Sequence, residues 1–412
     1  MIPRKTFGLL LTGGSLAFIA AMTMVPYPEM AEQARTVPFT CLVCGEFGGE
    51  DVILNVLLFV PFGIGLRLTG LARWKAFGIA VLTTAAVESL QHTLVLGRHA
   101  SLSDLLANST GGWLGVALAD HWRGLILPRP PGARRLARLG MATWLGIQTL
   151  SASLISISLP STTYIGLWAP HLPEFDQFNG TVLSATLNGD NIPAGRLNDS
   201  RKVRSQLQSD SFALEVTAIG DTSESWLAPI VGVFDDQKHE ILLLGQWGRD
   251  LVFRVRLRTR DFKLHTPAVR LTEVLSTIPG APLSIRAGMD RGRVFLQLMR
   301  DGHGYRRELA LSPGLAWSFV FPYELAFGPE VHFPTALWVA GLLLPVGYWV
   351  RRARTTRRGQ WGGCALLAFL LGLGLGAVPF AMGLPAVHWS EWLAGVAGMV
   401  AGWSLGAVRR VD

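Results

Sequence analysis

The chain has 412 residues, of which 50% are hydrophobic and 16% charged, with a formal net charge of +8. Soluble globular chains carry about 25% charged residues, so this composition excludes an ordinary soluble protein and points to several membrane spans. The positive balance reads as Lys/Arg clusters beside those spans; no RNA- or DNA-binding signature accompanies it, which excludes nucleic acid as the expected partner.

In chain order, MIPRK precedes the apolar run FGLLLTGGSLAFIAAMTMVPYP. A basic start and an apolar core are shared with signal peptides. The run is as long as a bilayer span and no A-x-A site follows, so the sequence predicts an uncleaved first helix. Cys41 and Cys44 then form an isolated CxxC. One such pair without a second pair or a nearby His reads as a disulfide or two thiols rather than a metal site, and no cofactor or metal is expected. Seven further spans are predicted at about 52–68, 74–96, 103–120, 140–159, 335–350, 362–382 and 390–408.

Loop charges give the orientation. With the N-terminus cytoplasmic, the inside segments carry 17 Lys/Arg, from Arg4 and Lys5 to Arg409 and Arg410, and the short outside loops carry two, Arg35 and Arg98. This asymmetry predicts eight spans with both termini in the cytoplasm.

Residues 161–333 differ in kind. SFALEVTAI, PIVGVF, EILLLGQWG, DLVFRVRLRT, LSIRAGM and RVFLQLMRD alternate with turn formers, as in an antiparallel sandwich. Arg254, Arg256, Arg258 and Arg260 recur with period two, which reads as one solvated face of a strand. The domains expected are a four-helix membrane domain at 1–125, a basic linker and fifth span at 126–160, the extracytoplasmic β-domain at 161–333, and a three-span region at 334–412. A faint internal echo links SDLLANSTGGWLG, from Ser103, to SEWLAGVAGMVAG, from Ser390. Asp104 and Glu391 are each followed at plus seven and plus eleven by Gly, but the span before the second copy has no counterpart of Glu88.

The chemistry concentrates between Asp51 and Asn108. Glu88 and Gln91 are three apart and Glu88 and His92 four apart, so they share a helix face. Asp104 and Asn108, and Asp51 and Asn55, repeat the four-residue spacing on the flanking helices. Arg98 lies in the short loop between. Glu88 sits roughly 9 Å inside the end of its span at 1.5 Å per residue. Ionisable groups at such depth need partners and mark functional sites. The set Asp51, Asn55, Glu88, Gln91, His92, Arg98, Asp104 and Asn108 therefore reads two ways: as a network locking three helices together, with Glu88 paired to Arg98, or as an outward-opening recess for a polar head group or peptide.

NVLLFVPFG, then ESLQ, then GR followed by SLSDLLANSTGGWLG, resembles the VanZ-like family of bacterial membrane proteins. The resemblance covers roughly the first 120 residues. It implies a cell-envelope role in the bacterial cytoplasmic membrane, without an established reaction; the family's namesake is associated with low-level resistance to the glycopeptide teicoplanin. The insert and the final hairpin depart from a minimal family member. The insert in turn resembles a concanavalin A-like (laminin G-type) jelly roll through SFALEV, PIVGVFDD, EILLLGQWGRDLVFRVRLRT and LSIRAGMDRGRVFLQLMRDG. That resemblance implies carbohydrate binding, in some members through calcium, for which Asp235, Asp236 and Asp250 are the loose candidates.

The expected fold is thus a multi-pass α-helical membrane protein of about eight spans with an inserted all-β jelly-roll sandwich. The expected function is binding: a polar or lipid-linked envelope precursor in the helical recess, and a glycan, glycopeptide or partner on the sandwich. The alternative is a membrane enzyme using Glu88 or Asp104 as general acid or base on a lipid-linked saccharide or phosphate. No nucleophile elbow, zinc helix or phosphate-cradling loop supports it. A transporter is disfavoured because the polar residues cluster toward one face rather than at the midplane.

Overall fold

The computed structural model describes residues 3–28, 38–98, 100–172, 175–220, 226–275, 280, 282–300, 302–321 and 326–407. Arg35, Arg409 and Arg410 of the charge count lie outside them. The chain divides into two compact units, Met1–Gly132 with Phe262–Leu264, and Ala133–Asp261 with His265–Asp412.

The first unit is built on four helices: α1 (Arg4–Thr23), α2 (Gly48–Leu68), α3 (Arg73–Leu94) and α4 (Leu102–Ile126). Before α2, Cys41 and Cys44 are joined as a disulfide. Gly70, at φ 102°, makes the reversal between α2 and α3 in a backbone region that side chains avoid. The core of the unit is Ile19, Phe59, Phe62, Leu66, Ala76, Ala80, Val87 and Val116. Large apolar side chains such as Leu9, Leu10, Phe18, Leu57 and Leu82 point outward. Helices in water hide such residues; helices in lipid display them.

Glycines set the α2–α4 approach. A Cβ on Gly111 would strike the Val56 carbonyl oxygen, one on Gly115 that of Val60, and one on Gly63 that of Gly112. The two backbones therefore touch directly, as small residues allow in membrane helix pairs. At the far end of this pair Arg67 Nε donates to Asp120 Oδ1 at 2.6 Å, with about a quarter of each side chain exposed. Such a pair contributes little because solvent screens it and two side chains are immobilised. Arg67→Ala should lower stability by less than about 1 kcal/mol, read as a shift of a few degrees in a detergent melt; a collapse of the fold would contradict this.

The second unit contains α5 (Pro130–Leu154), a β-sandwich, and three more helix segments: α6 (Ser200–Leu207) within the sandwich, α7 (His332–Ala353) and α8 (Arg357–Ala381), followed by α9 (Trp389–Ala407). The helix α5 starts earlier than expected, since PPGARRLARL, read from sequence as linker, is its first part. Proline suits a first turn, and Ala, Leu and Arg are good helix formers.

The sandwich has strands β1 (Tyr164–Trp168), β2 (Thr181–Leu187), β3 (Asp190–Asn191), β4 (Gly195–Arg196), β5 (Ser211–Ile219), β6 (Leu227–Asp235), β7 (Glu240–Trp247), β8 (Asp250–Val255), β9 (Ala268–Leu271), β10 (Pro282–Asp290), β11 (Arg293–Arg300), β12 (His303–Ala310) and β13 (Ala326–Phe327). They form a seven-stranded sheet, β13-β9-β8-β7-β6-β1-β4, and a six-stranded sheet, β12-β11-β10-β5-β2-β3. The pairings are antiparallel apart from β13 with β9. Strands β6 and β8 are buried along their whole length, which places them at the centre of the sandwich, while much of β10 alternates.

The arginine run is not a solvated strand face. The strand β8 ends at Val255 and residues Arg258–Phe262 form a 3-10 turn. Arg254 is buried and donates from Nε and Nη2 to Glu240 at 2.7 and 2.6 Å. This two-pronged carboxylate pairing compensates the buried charge. Two of the three loose calcium candidates, Asp235 and Asp250, are likewise engaged within the chain. Asp235 accepts from the N–H groups of Gln237 and His239 in its turn, and Asp250 pairs with Arg270.

Eight of these helices coincide with the eight stretches read as spans. Among the described residues, four are long and apolar enough to cross a membrane by length and composition: Arg4–Thr23, Gly48–Leu68, His332–Ala353 and Arg357–Ala381. Polar residues dilute two of the others, Thr83, Thr84, Glu88 and Gln91 in α3 and Asp104, Asn108, Ser109 and Thr110 in α4.

Candidate functional site

The site begins with the cap of α4. Ser101 Oγ accepts the Asp104 N–H at 3.0 Å and donates to Asp104 Oδ2 at 2.8 Å. This is a serine N-cap whose hydroxyl also donates back to the Asp at the third helical position. It fixes the carboxylate in the first turn of α4, where the helix dipole favours negative charge. The other oxygen, Asp104 Oδ1, accepts from Asn55 Nδ2 of α2 at 2.6 Å.

Ser101 also reaches the third helix. Its backbone N–H donates to Glu88 Oε2 of α3 at 3.0 Å. Ser101 is 1% exposed and Glu88 6%, so two carboxyl groups from different helices meet at one buried serine. One turn deeper, Asn108 Nδ2 donates to Thr84 Oγ1 at 2.9 Å, and Asn108 Oδ1 is buried without a partner. Gln91 Nε2 donates to the Thr23 carbonyl at 3.0 Å, tying α3 to the end of α1.

Arg98 stands at the rim. Gly97, at φ 80°, has no room for a side chain, because a Cβ there would strike the Tyr27 carbonyl oxygen. The loop thus lies against the end of α1. Arg98 donates to the carbonyls of Met22 and Val25 at 3.0 and 3.3 Å and lies 4.6 Å over the Tyr27 ring. The Glu88–Arg98 pair expected of a purely structural network is replaced by these bonds: Glu88 is taken by Ser101, and among the described residues no ion pair joins it to Arg98.

Of the eight residues singled out from sequence, Asn55, Glu88, Gln91, Asp104 and Asn108 gather at the end of the unit where α1 and α3 finish and α2 and α4 begin, with Arg98 above them. Asp51 and His92 are exposed. The buried stripe of α3 runs through Ala76, Ala80, Thr84, Val87, Glu88 and Gln91. At about 100° per residue, His92 falls roughly 80° round from Thr84, at the edge of that stripe. Sequence reasoning missed Ser101, Thr84 and Thr23. The S-x-x-D spacing of Ser101 and Asp104 signals a cap, and Thr84 lies one turn before Glu88 on the same face; a contact through the Thr23 carbonyl leaves no side-chain signal.

Residues 13–123 match the family model described as VanZ/LLP1. The match takes in α1 from Gly13, the whole of α2 and α3, α4 as far as Arg123 and the whole Ser101 cluster, and leaves the sandwich and the last helices outside it. No curated protein and no solved structure matches the chain. The VanZ-like segment and the apolar helices fit a membrane protein of the cell envelope.

Proposed function

We propose that the chain crosses the bacterial cytoplasmic membrane eight times, with both termini inside, and that its first four helices hold a polar or lipid-linked envelope ligand at the Ser101 cluster. The convergence of Glu88 and Asp104 on one buried serine carries this reading. Helices that need only to be fastened together do so with neutral pairs such as Asn108–Thr84, each worth about 1 kcal/mol. A buried acid with a half-buried one beside it is expensive in such a place and is retained where it meets something. The Lys/Arg asymmetry of the loops supports an orientation with the cluster away from the cytoplasm, where envelope precursors and glycopeptides are met, and a role in teicoplanin resistance belongs to the same reading.

The sandwich would hold a glycan, glycopeptide or protein partner on that same side. A cleft of about 890 Å³ on it is lined by Ser161, Thr163, Asn198, Ser200, Arg201 and Asp236 among others, a hydroxyl-rich set with both charges. A glycan array probed with the full-length protein should show ligands; an array without any would remove the sugar-binding part of the reading.

The test of the helical site is lipid extraction and mass spectrometry of the purified protein, wild type beside Asp104→Asn and Arg98→Ala. Wild type should carry a saccharide- or phosphate-bearing lipid enriched over bulk membrane lipid, and both variants should lose at least tenfold of it while melting within a few degrees of wild type. Equal lipid profiles in all three would refute the proposal.

A further inference from the structure

Residues of α2, α3 and α4 recur outside the matched segment at fixed offsets. Pro61, Gly63, Arg67, Arg73 and Gly78 are followed 284 positions later by Pro345, Gly347, Arg351, Arg357 and Gly362. Ser103, Asp104, Ala107, Gly111 and Gly115 are followed 287 positions later by Ser390, Glu391, Ala394, Gly398 and Gly402. Glycines in apolar helices coincide easily, but their contacts do not. A Cβ on Gly398 would strike the carbonyl oxygen of Ala340, one on Gly402 that of Leu344, and one on Gly347 that of Met399. These are the counterparts, at the same two offsets, of the Gly111–Val56, Gly115–Val60 and Gly63–Gly112 contacts. Each pair also has its proline at the matching place, Pro61 inside α2 and Pro345 inside α7.

The helix before each pair packs differently: α1 runs close along α2, whereas α5 reaches α7 through side chains. In the first unit Gly65 lies against Thr12 of α1; at the matching position of the second stands Trp349, and its small partner is Gly140 of α5. Large and small residues have changed sides, and the gap is filled either way.

We infer that α5, α7, α8 and α9 are a second copy of the four-helix unit, with the sandwich inserted between its first and second helices, and that the acid end of this copy is a residual form of the same site occupied by the sandwich's own Ser312–Gly314 segment. Glu391 is 3% exposed. Its Oε1 accepts from Ser312 Oγ at 2.8 Å, and its Oε2 is buried with no hydrogen-bond partner. The Gly314 backbone lies so close over Oε2 that a Cβ would strike it. In the first copy a serine hydroxyl also donates to the acid, but from the cap position, which His388 holds in the second. The amides have gone: Val339 replaces Asn55 and Gly395 replaces Asn108, and α8 carries no carboxylate. An acid without its amides is left with an orphaned oxygen, and a hydroxyl-bearing chain segment with no side chain at its third residue is what fits over it. This inference stands whatever the first copy binds.

The test is a set of melts on the full-length chain. Glu391→Asp should lower Tm, because the shortened carboxylate no longer reaches Ser312. Adding Val339→Asn recreates the Asn55–Asp104 pair and should restore at least half of the loss, whereas Val346→Asn in the same background should lower Tm further. Closure is read separately with a hydrophobic carbodiimide and mass spectrometry: Ser312→Ala should raise labelling of Glu391 at least tenfold over wild type. Absence of rescue by Val339→Asn, or failure of that double variant to fold where Glu391→Asp alone folds, overturns the second copy. Equal labelling of wild type and Ser312→Ala overturns the closure.

Discussion

Gly115→Leu should disrupt the folded first unit. A Cβ at Gly115 meets the Val60 carbonyl oxygen, the Ile64 nitrogen at 2.8 Å and the Gly63 Cα at 3.0 Å. All three are backbone atoms in the middle of α2, so no rotamer change makes room and the helices must separate. Overpacking of a tight interior costs on the order of 3 kcal/mol or more, and separation of α2 from α4 would also pull Asn55 away from Asp104. Gly124, on the same helix, has nothing within 4 Å, so Gly124→Leu is the matched control. Detergent melts should show Gly115→Leu losing its cooperative transition, or more than 10 °C of Tm, with Gly124→Leu unchanged or slightly more stable, since glycine is a poor helix former. Equal behaviour of the two would mean that the glycine contacts do not hold this helix pair together.

This glycine seam was visible in the sequence only through the echo, as Gly at plus seven and plus eleven from Asp104 and from Glu391. In apolar helices there is little other reason to space small residues by four, and the same spacing at Gly398 and Gly402 turned out to mark the same kind of seam. The acid and amide faces were legible for a related reason: polar side chains three or four apart in an apolar run have one face to share. The details that failed depend on competition between partners. Arg98 could satisfy its guanidinium with Glu88 or with the free carbonyls at the end of α1, and spacing does not say which lies nearer. The central role of Ser101 rests on its backbone N–H, a donor every residue but proline carries. Arg254 reads as solvated until Glu240, at the far end of the neighbouring strand, is placed beside it. The tandem arrangement was only faintly visible because the sandwich separates the first helix of the second copy from the rest, and because a tryptophan and a glycine have exchanged sides.

Glu88 separates fastening from binding most sharply. Glu88→Ala leaves the Ser101 N–H buried and without its acceptor, a loss on the order of 2 kcal/mol, and should lower Tm by several degrees. Glu88→Gln keeps an amide oxygen where Oε2 accepts that N–H while removing the carboxyl group, so its Tm should stay near that of wild type. If the cluster only fastens helices, the glutamine variant matches wild type in every respect, including the lipids it carries after purification. If the carboxyl group meets a ligand, Glu88→Gln melts like wild type yet loses the enriched lipid. Stability and binding then part company at a single oxygen-for-nitrogen exchange, an outcome that an interhelical fastening cannot produce, because a fastening has no property to lose other than the stability it confers.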